Sequence, residues 1–136
     1  MVRTEITLPN DVQTVPNLAT FVDEACEAAR LDMGTTMQVN LAVEEIVVNV
    51  MNYAYPEGTT GMVKIVAEAG EGGIAFIVED NGKPFDPTKK AEADTTLDAE
   101  QRPIGGLGLH LARQIMNSIS YERTADGRNV LTMIKR

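Results

Sequence analysis

Val2, Thr4, Ile6 and Leu8 alternate with Arg3, Glu5 and Thr7, so the chain opens with the period-two pattern of a half-buried strand, ended by Pro9 and Asn10. The period then changes. Thr14-Val15-Pro16 opens a helix, since proline is tolerated in a first turn, and Leu18, Phe21, Val22, Ala25 and Ala29 recur at helical spacing through Leu31. Gly34 separates it from a second helix, from about Met37 to Tyr53, with Thr35 or Thr36 as its expected cap and Pro56-Glu57-Gly58 as its break. Strands are expected from Met62 to Ala69 and from Ile74 to Glu79, joined by the hairpin-forming Gly70-Glu71-Gly72-Gly73. From Pro84 to Pro103 the chain is polar and carries no periodicity. A loop of about 20 residues in a compact domain is often a lid over a site. Gly105-Gly106-Leu107-Gly108-Leu109 then feeds a helical run with Leu111, Ile115 and Ile119. The last two strands, from Ile119 to Arg123 and from Asn129 to Ile134, flank the turn signal Asp126-Gly127.

The order strand, helix, helix, strand, strand, lid, helix, strand, strand has too few βαβ units for a doubly wound sheet. It predicts an α+β, two-layer α/β sandwich: a mixed, mostly antiparallel sheet with helices on one face. At 136 residues the chain fits one domain, residues 1–136. No apolar run approaches the ~18 residues of a membrane span, and residues 1–9 lack the apolar segment of a signal peptide. A cytoplasmic protein with no membrane partner is the expectation.

The net charge of −8 argues against a nucleic-acid partner, which requires clustered Lys and Arg. An anionic ligand must therefore be held by backbone amides, a helix N-terminus or a cation. A single cysteine, Cys26, and a single histidine, His110, leave neither an internal disulfide nor a soft-metal cluster. Cys26 reads as packing; His110 reads as a loop contact or a neighbour of the ligand.

The second helix holds the most informative chemistry. Glu44, Glu45, Asn49 and Asn52 interrupt an otherwise aliphatic stretch from Leu41 to Asn52. On a 3.6-residue helix Glu45, Asn49 and Asn52 project from nearly one face, and amides among Val47, Val48, Val50 and Met51 need partners if buried. Glu44 is expected to face solvent. Asp80-Asn81-Gly82, at a strand end, is either an ordinary turn or a carboxylate set to accept from a base amino group. Gly105, Gly106 and Gly108 fit neither a Rossmann fingerprint, because residue 111 is leucine and a long loop precedes them, nor a P-loop, because no Gly-Lys-Ser/Thr exists. They present backbone N–H groups at a helix start, suited to phosphate oxygens or serving only loop flexibility.

Taken in order, Glu45-Ile46-Val47-Val48-Asn49 with Asn52-Tyr53-Ala54-Tyr55-Pro56, Asp80-Asn81-Gly82-Lys83-Pro84-Phe85-Asp86-Pro87, and Ile104-Gly105-Gly106-Leu107-Gly108-Leu109 resemble the three nucleotide-binding boxes of the GHKL ATPase superfamily, which has the Bergerat fold. The chain looks most like the anti-sigma factor serine-protein kinases of the RsbW type. The resemblance implies that ATP and Mg²⁺ are bound and that residues 83–104 form the ATP lid. It makes Asn49 the metal ligand and Glu45 the base or orienter for the attacking hydroxyl. Asp80 would accept from the adenine amino group and Gly82 would line the base pocket. Gly105, Gly106, Leu107, Gly108 and Leu109 would contact phosphates, with Asn52, Tyr53, Pro84, Phe85 and Thr132 completing the pocket. It further implies a serine on a STAS-type anti-sigma factor antagonist as the phosphate acceptor, a sigma factor as a second partner, and a homodimer.

The chain departs from the family pattern where Pro84 replaces a glycine, where Tyr53 replaces a histidine found in some relatives, and where Arg128 rather than threonine follows Gly127. Arg102, in the lid, either neutralises phosphate or is solvated. The rival expectation is a catalytically silent, ATP-responsive module that regulates a partner by pocket occupancy. The catalytic half of a sensor histidine kinase is disfavoured, since no preceding helix carries a phosphoacceptor histidine.

Overall fold

The computed structural model describes residues 1–56, 58–86 and 112–136. Its elements are β1 (Val2–Pro9), a 3-10 turn (Val12–Thr14), α1 (Val15–Ala28), α2 (Met33–Tyr53), β2 (Met62–Gly70), β3 (Gly73–Asp80), β4 (Ser118–Arg123) and β5 (Asn129–Lys135). The strands form one five-stranded sheet in the order β1-β2-β3-β5-β4. Every ladder among them is antiparallel, so the mostly antiparallel expectation holds and the described strands contain no parallel pair.

Alternation along the strands sorts the sheet into two faces. Leu8, Val63, Ile65, Ala67, Ile74, Phe76, Val78, Leu131 and Met133 join the core with Leu18, Phe21, Val22 and Cys26 of α1 and Val39, Val43, Ile46, Val47 and Val50 of α2. The helices thus cover one face, as the sequence pattern predicts. Glu79, Ile77 and Ala75 of β3 pair with Val130, Thr132 and Ile134 of β5 on the other.

Two helix boundaries differ from expectation. Asp32, not Thr35 or Thr36, caps α2, its Oδ1 accepting from Thr35 N at 2.6 Å, so the helix begins at Met33 and Gly34 lies inside its first turn. A carboxylate three residues ahead of a free N–H satisfies that donor directly, which outweighs the low helix propensity of one glycine. At the end of α1, Arg30 takes the left-handed conformation, φ 58°, with Arg30 N donating to Glu27 O at 3.0 Å and Leu31 N to Cys26 O at 3.1 Å. That is the usual glycine-terminated helix stop built on an arginine, which a glycine search passes over.

Cys26 is fully buried, and burial pushes its thiol up to about 11. It is a packing residue, as expected.

Candidate functional site

Asn49 is 2% exposed because its α2 neighbours Ile46, Val47, Val50 and Met51 are all core residues. Its Nδ2 donates to Glu45 O at 2.7 Å, one turn back, while its Oδ1 is buried without a hydrogen-bond partner. Leaving such an acceptor unpaired costs about 1–3 kcal/mol. Glu45, partly buried one turn earlier, has its carboxyl pushed above the usual range, first by burial and then by the charge of Glu44. Glu44 is itself partly buried rather than fully solvent-facing. On the next turn, the ring of Tyr53 packs against Phe85 with centroids 5.8 Å apart. Helix and strand-end segments that are distant in sequence therefore meet.

The second wall is the end of β3. Asp80 is 6% exposed, and both Gly82 N and Asn129 Nδ2 donate to its Oδ1 at 2.8 Å. Burial raises the Asp80 carboxyl, opposed in turn by the Asn129 and Gly82 hydrogen bonds and the positive charge of Arg123. Asn129, 3% exposed and paired with Asp80 across the β3–β5 ladder, is the hub of this wall. Its second amide hydrogen goes to Lys83 O at 2.8 Å, and its Oδ1 accepts from Tyr121 OH, from Phe85 N at 3.3 Å and from Arg123 Nη1 at 3.3 Å. Arg123 Nη1 also donates to Gly82 O at 2.9 Å. The chain just after Asp80 is held from three strands.

Gly82 has a local reason to be glycine. A Cβ there would lie 2.3 Å from Ala54 O, and Lys83 N donates to that same carbonyl at 2.8 Å. The close approach that glycine permits is to the end of α2, which docks the strand-end turn onto the helix. Pro84 is exposed beside it.

Thr132 is a correction. It pairs with Ile77 and is one residue out of phase with the inward-facing Leu131 and Met133, so it projects from the sheet face opposite the helices. The inward polar position on β5 is Asn129, which the sequence reading used only as a strand start. Its signal was an amide at the first position of an apolar strand, in register with Asp80. Tyr121 and Arg123 were likewise missed, since each reads alone as an ordinary strand residue. Asn52 is exposed and lines a neighbouring cleft with Asn10 and Thr60, rather than joining the Asp80 wall. Gly105, Gly106, Leu107, Gly108, Leu109, Arg102 and His110 lie outside the described residues, as does most of the expected lid.

The donor chemistry fits a hard cation held mainly by its ligand. Among the described residues no group of three or more His, Cys, Asp or Glu could hold a metal, so a self-contained protein cage is absent there. Two buried amide oxygens among the described residues, Asn40 Oδ1 and Asn49 Oδ1, have no hydrogen-bond partner, and the one a turn from Glu45, Asn49 Oδ1, is of the type Mg²⁺ accepts when waters and phosphate oxygens supply the remaining positions. No helix among the described residues is long and apolar enough to cross a membrane.

The profile of the histidine kinase-like ATPase domain family matches residues 8–135. The serine/threonine-protein kinase BtrW of Bordetella bronchiseptica is 27% identical over 95 residues, covering 70% of this chain and 66% of that protein. Serine-protein kinase RsbW of Bacillus cereus is 32% identical over 85 residues, 60% of this chain and 52% of that one. The anti-sigma F factor of Clostridium novyi is 29% identical over 98 residues, 72% and 68% of the two chains. The matches to these relatives thus span from about half to two thirds of their lengths. Among solved structures, the RsbU and RsbW domains of a Mycobacterium tuberculosis protein superpose with a TM-score of 0.68 at 18% identity, over 100% of this chain and 32% of that one. The SiaB–SiaC complex of Pseudomonas aeruginosa gives 0.59 at 18% identity, over 97% and 88%. At that identity both speak for the fold alone.

Proposed function

Since this chain belongs to the histidine kinase-like ATPase family, we propose that it binds Mg-ATP and transfers the γ-phosphoryl group to a serine of a protein partner. By analogy with the kinases and anti-sigma factor it resembles, that partner is a STAS-type anti-sigma factor antagonist, and the outcome is control of transcription through a sigma factor by a cytoplasmic homodimer. The observation that carries this reading is the buried, unpartnered Asn49 Oδ1 one helical turn from the partly buried carboxyl of Glu45.

Asp80 accepts from the adenine amino group, with Asn129 and Gly82 N fixing its carboxylate orientation. Phe85, packed at a tilt against Tyr53 and tied to Asn129, closes the base side of the pocket. Asn49 presents its amide oxygen to Mg²⁺, which when bound neutralises charge on the phosphate oxygens. Gly105, Gly106, Leu107, Gly108 and Leu109 offer backbone N–H groups to the same oxygens. Glu45 takes the proton of the serine hydroxyl as that oxygen attacks the γ-phosphorus and the bond to ADP breaks. Its raised pKa makes it a better proton acceptor than an exposed glutamate.

The test is transfer from γ-labelled ATP, with Mg²⁺, to a panel of purified STAS-type domains. Glu45→Gln should lower the rate by about 10²-fold or more while the rise in melting temperature given by ATP is kept. Unchanged transfer in Glu45→Gln would overturn the assignment of the base. A melting shift with neither ADP nor phosphoserine formed would leave the silent, ATP-responsive module.

A further inference from the structure

A cleft of about 660 Å³ opens beside the last turns of α2, walled by Pro9, Asn10, Asp11, Asn52, Thr59 and Thr60. Neither Glu45 nor Asn49 lines it, and it plays no part in holding a nucleotide in the reading above. Its size is that of a pocket for a drug-sized molecule or a short peptide segment. The walls are held before anything binds. Asn10 clamps the loop opposite, Nδ2 donating to Thr59 O at 2.7 Å and Oδ1 accepting from Gly61 N at 2.9 Å. Tyr55 is seated on Gly61 so closely that a Cβ there would lie 2.2 Å from its ring, and its hydroxyl donates to Met62 O at 2.6 Å.

The chemistry of the lining selects among ligands. Among the described residues its lining contains no Lys or Arg, and the carboxylate there, Asp11, already accepts from Gln13 N at 2.9 Å at the head of the 3-10 turn. A second nucleotide or any other polyanion would find no counter-charge among these residues. Among the described residues, the Asn52 side chain and the Thr60 hydroxyl have no hydrogen-bond partner, and both belong to exposed residues. An amide and a hydroxyl that face solvent from a pre-formed cleft suit the N–H and C=O groups of an extended chain.

Position supplies the rest. Asn52 follows Glu45 by seven residues on the same face of α2, a separation of about 10.5 Å at 1.5 Å per residue. An extended chain advances about 3.3 Å per residue, so a segment seated at Asn52 brings a residue roughly three positions away to Glu45. We propose that this cleft docks an extended, neutral and polar segment of the protein substrate, setting its acceptor serine beside Glu45. The inference rests on the kinase reading and adds where the acceptor chain lies.

The probe is a degenerate pool of short peptides with a central serine and uncharged flanks, titrated into the ¹⁵N-labelled protein. Saturable amide shifts should appear at Asn10, Asp11, Asn52, Thr59 and Thr60. Thr60→Trp, which fills the cleft from an exposed loop, should weaken peptide binding by about tenfold or more, and Asn52→Ala, a helix-favouring change at an exposed position, should weaken it in the same direction. Shifts caused by ATP should be untouched in Thr60→Trp. Peptide shifts that fall elsewhere, or peptide binding indifferent to both variants, would overturn the proposal. Binding in the cleft without labelled phosphate on the serine would remove the kinase reading and leave the docking site. Phosphorylation of a STAS domain at wild-type KM in both variants would do the reverse.

Discussion

The strand wall and the helix wall of the site bury polar groups in opposite ways. At the strand wall Asp80 and Asn129 are 6% and 3% exposed, and every amide hydrogen and both bonds to Asp80 Oδ1 are made within the chain. At the helix wall Asn49 is equally buried at 2%, yet its oxygen is left without a partner. A satisfied network stabilises and fixes one arrangement, whereas an orphaned acceptor costs about 1–3 kcal/mol that a bound ligand can offset. Folding therefore completes the wall that would recognise a base. The wall that would meet phosphate is finished only on binding.

The largest expected effect breaks the strand wall. Asn129→Ala leaves Asp80 with one donor and removes the acceptor of Tyr121 OH and Phe85 N, so urea unfolding should report a loss of about 3 kcal/mol. A loss below about 1 kcal/mol would mean that solvent replaces the hub, and the wall is not closed as described. The helix wall should respond with the opposite sign. Asn49→Leu removes an unpaired buried oxygen and one hydrogen bond to an already bonded helical carbonyl, so the ligand-free protein should be unchanged or gain about 1 kcal/mol. The same variant should lose the stabilisation that Mg-ATP gives wild type. A destabilisation as large as that of Asn129→Ala would show the two walls to be alike.

This contrast was only half legible in the sequence. The strands, the helices and their layer came directly from periods of 2 and 3.6, and the face shared by Glu45 and Asn49 from their spacing. Asp80 and Gly82 were visible as a strand-end pair, but the reason for Gly82, contact with Ala54 O, belongs to tertiary packing and leaves no local mark. Thr132 faces away from the helices while Asn129 faces inward, because each step along β5 moves a side chain to the opposite side of the sheet, which the resemblance alone does not reveal. Tyr121 acts through Asn129, and Arg123 through Asn129, Gly82 O and its charge beside Asp80, all distant in sequence, so nothing in their own neighbourhood announces them. The Asp32 cap was hidden behind Gly34, a residue more often read as a boundary than as an interior position.

The smallest effect sharpens the comparison by asking what the strand wall still costs once every bond is made. Burial raises the Asp80 carboxyl above its ordinary 3.8 despite both hydrogen bonds and Arg123. Between the unfolded and the folded value the native state holds the extra proton, so this group makes stability fall as pH rises through that window and stay lowered above it. Glu45, raised from 4.5, acts with the same sign, whereas Asp32 and Asp126, lowered from 3.8, make stability fall as pH drops below that value. Asp80→Asn isolates the one contribution. Its amide oxygen can still accept from Gly82 N and Asn129 Nδ2, while the charge is gone and the other carboxyl groups cancel in the difference. Urea midpoints measured for both proteins from acid to neutral pH should diverge upward from about pH 4, with the variant the more stable at neutrality and unable to bind ATP. Parallel curves would mean that the network fully compensates the buried charge, leaving the strand wall with no residual cost at all.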